Sequence, residues 1–193
     1  MRQAQLASEL NRPQRMNSDK FLLWLIMASV VMVFAALTSA YIVKRAEGGW
    51  DNFPIPSIFY LSTLIMLLSS GTMHWAVTNA RNNEINRLRL GVSVTAILGI
   101  AFLGMQIVGW SDLIQLDVYF SGGNVAGSFF YVITVLHWLH IVAGLIFLAV
   151  ALIQAFKFKI HSKSMNLIEM CATFWHFLDG LWIYLFLFLL FLR

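Results

Sequence analysis

Five long apolar runs, at about 21–43, 57–78, 90–110, 127–156 and 167–192, occupy most of this chain. A helix rises about 1.5 Å per residue, so a run of ~20 apolar residues spans the ~30 Å hydrocarbon core of a bilayer. Only 11% of the 193 residues are charged and 60% are hydrophobic, whereas about a quarter of the residues of a soluble domain are charged. So little polar surface cannot cover a water-facing globule, and lipid must solvate most of it. The runs need no strands. The reading is an all-α polytopic membrane protein with five transmembrane helices, and the length suits one compact domain.

Residues 1–19 are polar and read as a cytoplasmic arm, with 20–193 forming a single transmembrane domain. Asn17, Ser18 and Asp19 are placed to cap the first helix. The first run is too long for the core of a signal peptide and reads as a retained span. Gly48, Gly49, Pro54 and Pro56 mark the first loop, and Arg81, Glu84, Arg87 and Arg89 a charged hinge. Asp112, Asp117, Gly122, Gly123 and Asn124 mark an acidic loop, and Lys157, Lys159, His161 and Lys163 a basic one. The fourth run exceeds the needed length and is expected to tilt or project.

Lysine and arginine alternate between the two sides of this layout. Arg2, Arg12, Arg15, Lys20, Arg81, Arg87, Arg89, Lys157, Lys159 and Lys163 fall on one side, and Lys44, Arg45 and Arg193 on the other. Cytoplasmic loops carry the basic excess, so the N-terminus is expected in the cytoplasm and the C-terminus in the periplasm. The net charge of +4 thus reflects orientation, and no nucleic-acid motif accompanies it. Trp24, Tyr41, Trp75 and Trp110 sit near span ends, where aromatic anchors occur. Cys171 is the single cysteine, so no internal disulfide forms and the redox compartment stays open.

Ionisable residues inside spans are costly and need a reason. His137 and His140 are three apart on the fourth run. Glu169, His176 and Asp179 share a face of the fifth, with Thr173 between them. A haem or metal site is one reading, and His137, His140, His176 and Asp179 are the residues that would build it. Five histidines are too few for a haem-bearing catalytic core, since His161 lies in a loop and His74 near a span end. A polar seam that fixes helix packing is the plainer reading, and a face that holds lipid head groups is another. Glu169, three residues after Asn166, also fits a helix cap. Phe129, Phe130, Tyr131, Phe174, Trp175, Phe177 and Trp182 suit packing better than a quinone site. Thr38, Ser39, Ser69, Ser70 and Thr72 read as small residues that let helices approach. An independent membrane proton or solute translocator remains an alternative, although internal repeats and broken helices are lacking.

Four ordered motifs run along the chain. Gly127-Ser128-Phe129-Phe130-Tyr131 is followed by Thr134, His137, His140 and Gly144. Glu169 is followed by Trp175-His176-Phe177-Leu178-Asp179 and Trp182. Thr95, Leu98-Gly99, Phe102-Leu103 and Gln106 form a third, and Ser62-Thr63 with Ser69-Ser70 a fourth. Together they resemble the motifs of subunit III of haem–copper oxidases, in its shorter, five-span bacterial form. The resemblance implies a two-plus-three helix V-shaped arrangement whose cleft holds structural phospholipid. It implies a non-catalytic accessory subunit of a proton-pumping terminal oxidase in the bacterial inner membrane. Haem and copper would lie in partner subunits, with no cofactor, metal or catalytic residue here. Subunits I and II and a small subunit IV are the implied partners, within a respiratory complex or a larger supercomplex. A cytochrome c oxidase is expected, with a quinol oxidase as the alternative. His137, His140, Glu169, His176 and Asp179 are the expected lipid-binding or polar intramembrane face. Val30 and Gly109 stand where the family often has carboxylates, and Val135 and Trp138 where it has glycines. These departures argue against proton conduction and leave a lipid-holding scaffold intact.

Overall fold

A computed structural model describes residues 18–48, 50, 53–82, 84–120, 125–156 and 165–192. Residues 1–17 of the expected arm, the tip of the acidic loop and the basic loop with Lys157, Lys159, His161 and Lys163 lie outside the described residues. The described chain forms five long helices: α1 Ser18–Ala46, α2 Ile58–Arg81, α3 Ile85–Gln115, α4 Val125–Phe156 and α5 Met165–Phe191. Most overrun their apolar runs, because once a helix exists each further residue adds a bond at little cost. Ser18 and Asp19 accordingly lie inside α1. Arg87 and Arg89, expected in a hinge, belong to α3, where Arg87 pairs with Glu84 at 2.9 Å.

The end of α3 is locally encoded. The Val118 N–H donates to the Leu113 carbonyl at 3.0 Å and the Asp117 N–H to that of Ile114 at 3.1 Å. Asp117 sits at φ 58°, the left-handed conformation that closes such a helix end and that a short polar side chain tolerates. The acidic loop therefore begins one turn later than composition suggests.

Four of the helices are long and apolar enough to cross a membrane: α1, α3, α4 and α5 from Asn166. The remaining helix, α2, has 24 residues but carries Ser62, Thr63, Ser69, Ser70, Thr72 and His74 along its length. The protein is thus an all-helical, polytopic membrane protein. Its outward surface is apolar, with Trp24, Met32, Ile97, Ile100, Ile146 and Phe191 all exposed.

Helix contacts close a ring. α2 packs on α3, α3 on α4, α4 on α5, and α5 back on α2, while α1 touches only α4 and α5. α2 is held in the ring on two sides, because its polar side chains find partners on both α3 and α5. Small residues permit the close approaches. A Cβ on Gly91 would lie 2.7 Å from the Ala76 Cβ, and one on Gly99 would lie 2.7 Å from the Trp175 ring. Gly109 is filled in the same way by the Phe59 ring, at 2.7 Å, so the interior has no room for a carboxylate there. Of the four aromatic anchors, Trp24 and Trp75 are exposed. The other two turn inward. Trp110 donates its indole N–H to the Thr134 hydroxyl at 3.1 Å, and buried Tyr41 donates to the Leu192 carbonyl at 3.2 Å.

Candidate functional site

The polar groups of α2 and α5 meet in an antiparallel register. The Trp182 indole N–H donates to Thr63 Oγ1 at 3.0 Å, and the Trp175 indole N–H donates to Ser69 Oγ at 2.9 Å. Ser70 Oγ and His176 Nδ1 share a hydrogen bond at 2.7 Å. Two to three turns farther along the same pair of helices, the Arg81 guanidinium donates to Glu169 Oε1 at 3.5 Å.

Hydroxyls suit this seam because each donates once and accepts twice. Thr63 donates to the Phe59 carbonyl of its own helix at 2.8 Å while accepting from Trp182. Ser62 does the same across the other interface, donating to the Phe59 carbonyl at 2.9 Å and accepting from Gln106 Nε2 at 3.1 Å. The Thr72 and Thr95 hydroxyls bond at 2.8 Å. α2 is therefore a polar strut joined to α3 on one side and to α5 on the other.

Glu169 ties three helices at one edge of the protein. Its carboxylate lies 3.5 Å from Lys20 of α1 and 3.5 Å from Arg81 of α2. The helix-cap reading of Glu169 does not hold, because α5 starts at Met165 and the carboxylate turns sideways to these cations. Such part-exposed pairs contribute about 1 kcal/mol or less each, so their effect is chiefly to set position. Beside them a cleft of about 280 Å³ opens between α2 and α5, lined by His74, Thr78, Arg81, Glu169, Thr173 and His176.

The five expected site residues do not converge. Glu169 and His176 line that cleft. Asp179 is buried at 3% exposure. Neither of its carboxyl oxygens has a hydrogen-bond partner. His176, which shares its face of α5, bonds Ser70 through Nδ1 instead. His137 is fully buried and neither ring nitrogen is bonded. It stacks on Trp182 at 5.0 Å between centroids, with Phe34 and Phe102 edge-on. His140 points toward α1, its ring 5.5 Å from that of Phe34, and its Nδ1–H donates to the Leu136 carbonyl at 2.6 Å. Among the described residues, no three His, Cys, Asp or Glu side chains are grouped so as to hold a metal ion.

Sequence reasoning treated Ser69 and Ser70 as spacers, but they are the acceptor or partner at the centre of the seam. A signal was present. Ser69-Ser70 on one run and Trp175-His176 on another are adjacent pairs, and Thr63 and Trp182 stand at similar distances from them. Complementary pairs at matching spacing fit two antiparallel helices.

The fold and seam define a class: a helical membrane protein whose intramembrane polar groups mainly hold its helices together. The sequence profile of cytochrome c oxidase subunit III matches residues 16–192, and the chain belongs to this family. It is 26% identical over 174 aligned positions to cytochrome c oxidase subunit 3 of Bacillus sp. (strain PS3), covering 87% of this chain and 83% of that one. It is 31% identical over 194 positions to a probable cytochrome c oxidase subunit 3 of Nocardia farcinica, covering 98% and 94%. It is 30% identical over 168 positions to cytochrome bo(3) ubiquinol oxidase subunit 3 of Pseudomonas aeruginosa, covering 84% and 79%.

The seam makes a direct prediction. Ser69→Ala strands the buried Trp175 N–H and is expected to cost about 1–3 kcal/mol of stability. Ser69→Ala combined with Trp175→Phe should cost clearly less than the sum of the two single changes. Thermal unfolding of the four proteins in detergent checks this, and strictly additive losses would show that the bond contributes nothing.

Proposed function

We propose that this chain is the non-catalytic accessory subunit III of a proton-pumping haem–copper terminal oxidase, acting as a lipid-holding scaffold for subunit I. Family membership carries the oxidase reading. The geometry supports the scaffold role, since the seam uses Trp175, Trp182, His176 and Arg81 to join helices. A single relay through His137, His140, His176 and Asp179, which an independent translocator would need, is split between separate surroundings. The partners proposed are subunits I and II and a small subunit IV, with haem and copper held there. The relatives include subunits of both cytochrome c and ubiquinol oxidases. Cytochrome c is the donor proposed, in keeping with the family and with the relatives from Bacillus and Nocardia.

Phospholipid is proposed to sit where α1 leans away from the ring. An apolar groove of about 210 Å³ runs between α1 and the α4–α5 pair, lined by Leu22, Leu23, Ile26, Phe147 and Phe174, with Asp19 at its edge. Lys20, next to Asp19, is a cation at the same end of α1, already bridged to Glu169. An acyl chain suits the walls and a head group suits the charged rim. Leu22→Trp with Ile26→Trp would fill the groove. The oxidase should keep its initial rate, lose bound phospholipid, and lose activity several-fold sooner during sustained turnover. Lipid analysis and turnover assays on the purified complex check this. A lost initial rate with lipid and assembly unchanged would contradict the scaffold role.

All five helices are proposed to span the bacterial inner membrane, α2 included, because its hydroxyls are bonded within the protein. This places the N-terminus in the cytoplasm and the C-terminus in the periplasm, as the basic loops require. A reporter active only in the cytoplasm should work when fused after Lys159 and fail when fused after Arg193. The reverse pattern would refute the topology.

A further inference from the structure

Two histidines from different helices face each other across the α2–α5 cleft. His74 of α2 and His176 of α5 both line it, with ring centroids 6.4 Å apart. Ser70 holds the His176 ring through Nδ1 at 2.7 Å, and the seam leaves its Nε2 to the cleft. His74 is exposed. Two imidazoles on one zinc ion, with Zn–N bonds of about 2.0 Å, place their ring centroids about 5–6 Å apart. A small rotation of the exposed His74 ring closes the difference.

The oxygens beside the pair present lone pairs as well. Thr78 spends its hydroxyl proton on the His74 carbonyl at 3.1 Å, and Thr173 spends its own on the Glu169 carbonyl at 2.8 Å. Both threonines line the same cleft, one turn after His74 and one turn before His176 respectively. Each hydroxyl can then accept but has no proton left to donate. Arg81 lies 3.5 Å from the Glu169 carboxylate, which offsets its charge at the rim. Lone pairs at the inner end and a neutralised rim suit a cation better than an anion.

We propose that His74 and His176 form a two-histidine site for an exchangeable divalent transition-metal ion, with zinc as the ion that fits it. In the bound state the His176 Nδ1–H donates to Ser70 Oγ, which fixes the tautomer whose Nε2 lone pair takes the metal. Imidazole nitrogen suits zinc and the late first-row ions, whereas magnesium and calcium take oxygen. Among the described residues no third His, Cys, Asp or Glu joins the pair. Water fills the remaining positions, and the Thr78 and Thr173 hydroxyls accept from it. Such a site is open and exchangeable, unlike a closed four-ligand structural site. Once occupied it ties α2 to α5 a second time, beside the Ser70–His176 bond. It goes beyond the scaffold reading and does not depend on which complex the protein joins.

The test is zinc binding by the full-length chain, purified from native membranes in mild detergent, washed with chelator and titrated with micromolar zinc chloride. The unaltered protein should bind one zinc per chain more than His74→Ala. Zinc should raise the unfolding temperature of the unaltered protein and leave that of His74→Ala unchanged. His74 is exposed, so this variant should keep its fold and its zinc-free unfolding temperature. His74→Cys retains a ligand and should retain the ion. His176→Ala should lose the same single zinc, and the double variant no more. Ser70→Ala leaves both ligands but frees the His176 ring, and should weaken binding by about tenfold or more. Three results would each overturn the proposal. One is equal zinc in the unaltered protein and His74→Ala. Another is loss of zinc in His74→Ala but not in His176→Ala. The third is stabilisation by inorganic phosphate in place of zinc, abolished by Arg81→Ala, which would assign the cleft to an anion.

Discussion

In the hydrocarbon core no water is available to satisfy a polar group, so one left without a partner in the protein is costly. Apolar side chains gain little by leaving lipid for another helix, and close packing with interhelical hydrogen bonds decides which helices associate. The hydroxyls of α2 meet that constraint twice over, donating to their own helix and accepting from α3 and α5. The closed ring of α2, α3, α4 and α5 depends on this double use. α1 touches only α4 and α5, which leaves it on the outside with an apolar groove beneath it.

The helices were plain in the sequence because each apolar run matches the thickness of a bilayer. Their ends were less so, since Arg87, Arg89 and Asp112 look like loop residues but continue α3. The arrangement was not legible for a related reason. Periodicity reports which residues share a face of one helix, but not which helix that face meets. His137 and His140 were correctly seen to be close on α4, yet one enters the aromatic interior against Trp182 and the other points to α1. Asp179 and His176 share a face of α5, yet His176 bonds Ser70 of the neighbouring helix and neither Asp179 oxygen is bonded. Trp110 looked like an interfacial anchor by position, and only its contact with Thr134 shows that it holds α3 to α4.

The interior also bears on what the subunit does. At Gly109 the Phe59 ring occupies the space a side chain would need, and Val30 is buried in the apolar core. Both positions carry packing in this chain. Among the described residues, Glu169, Lys20 and Arg81 meet at one edge, and His137 and Asp179 are set singly in the core. An apolar core crossed by helix-joining hydrogen bonds is the construction expected of a scaffold that sits beside a redox machine.

The central claim is that this chain works as part of an oxidase that holds the redox groups elsewhere. Affinity purification of the tagged chain from native membranes in mild detergent, with haem spectra and mass spectrometry of the eluate, tests it most directly. A scaffold subunit should bring down an equimolar polytopic haem protein, and the haem should leave with that partner when the two are dissociated. Recovery of the chain alone, or with haem that stays on it after dissociation, would contradict the claim.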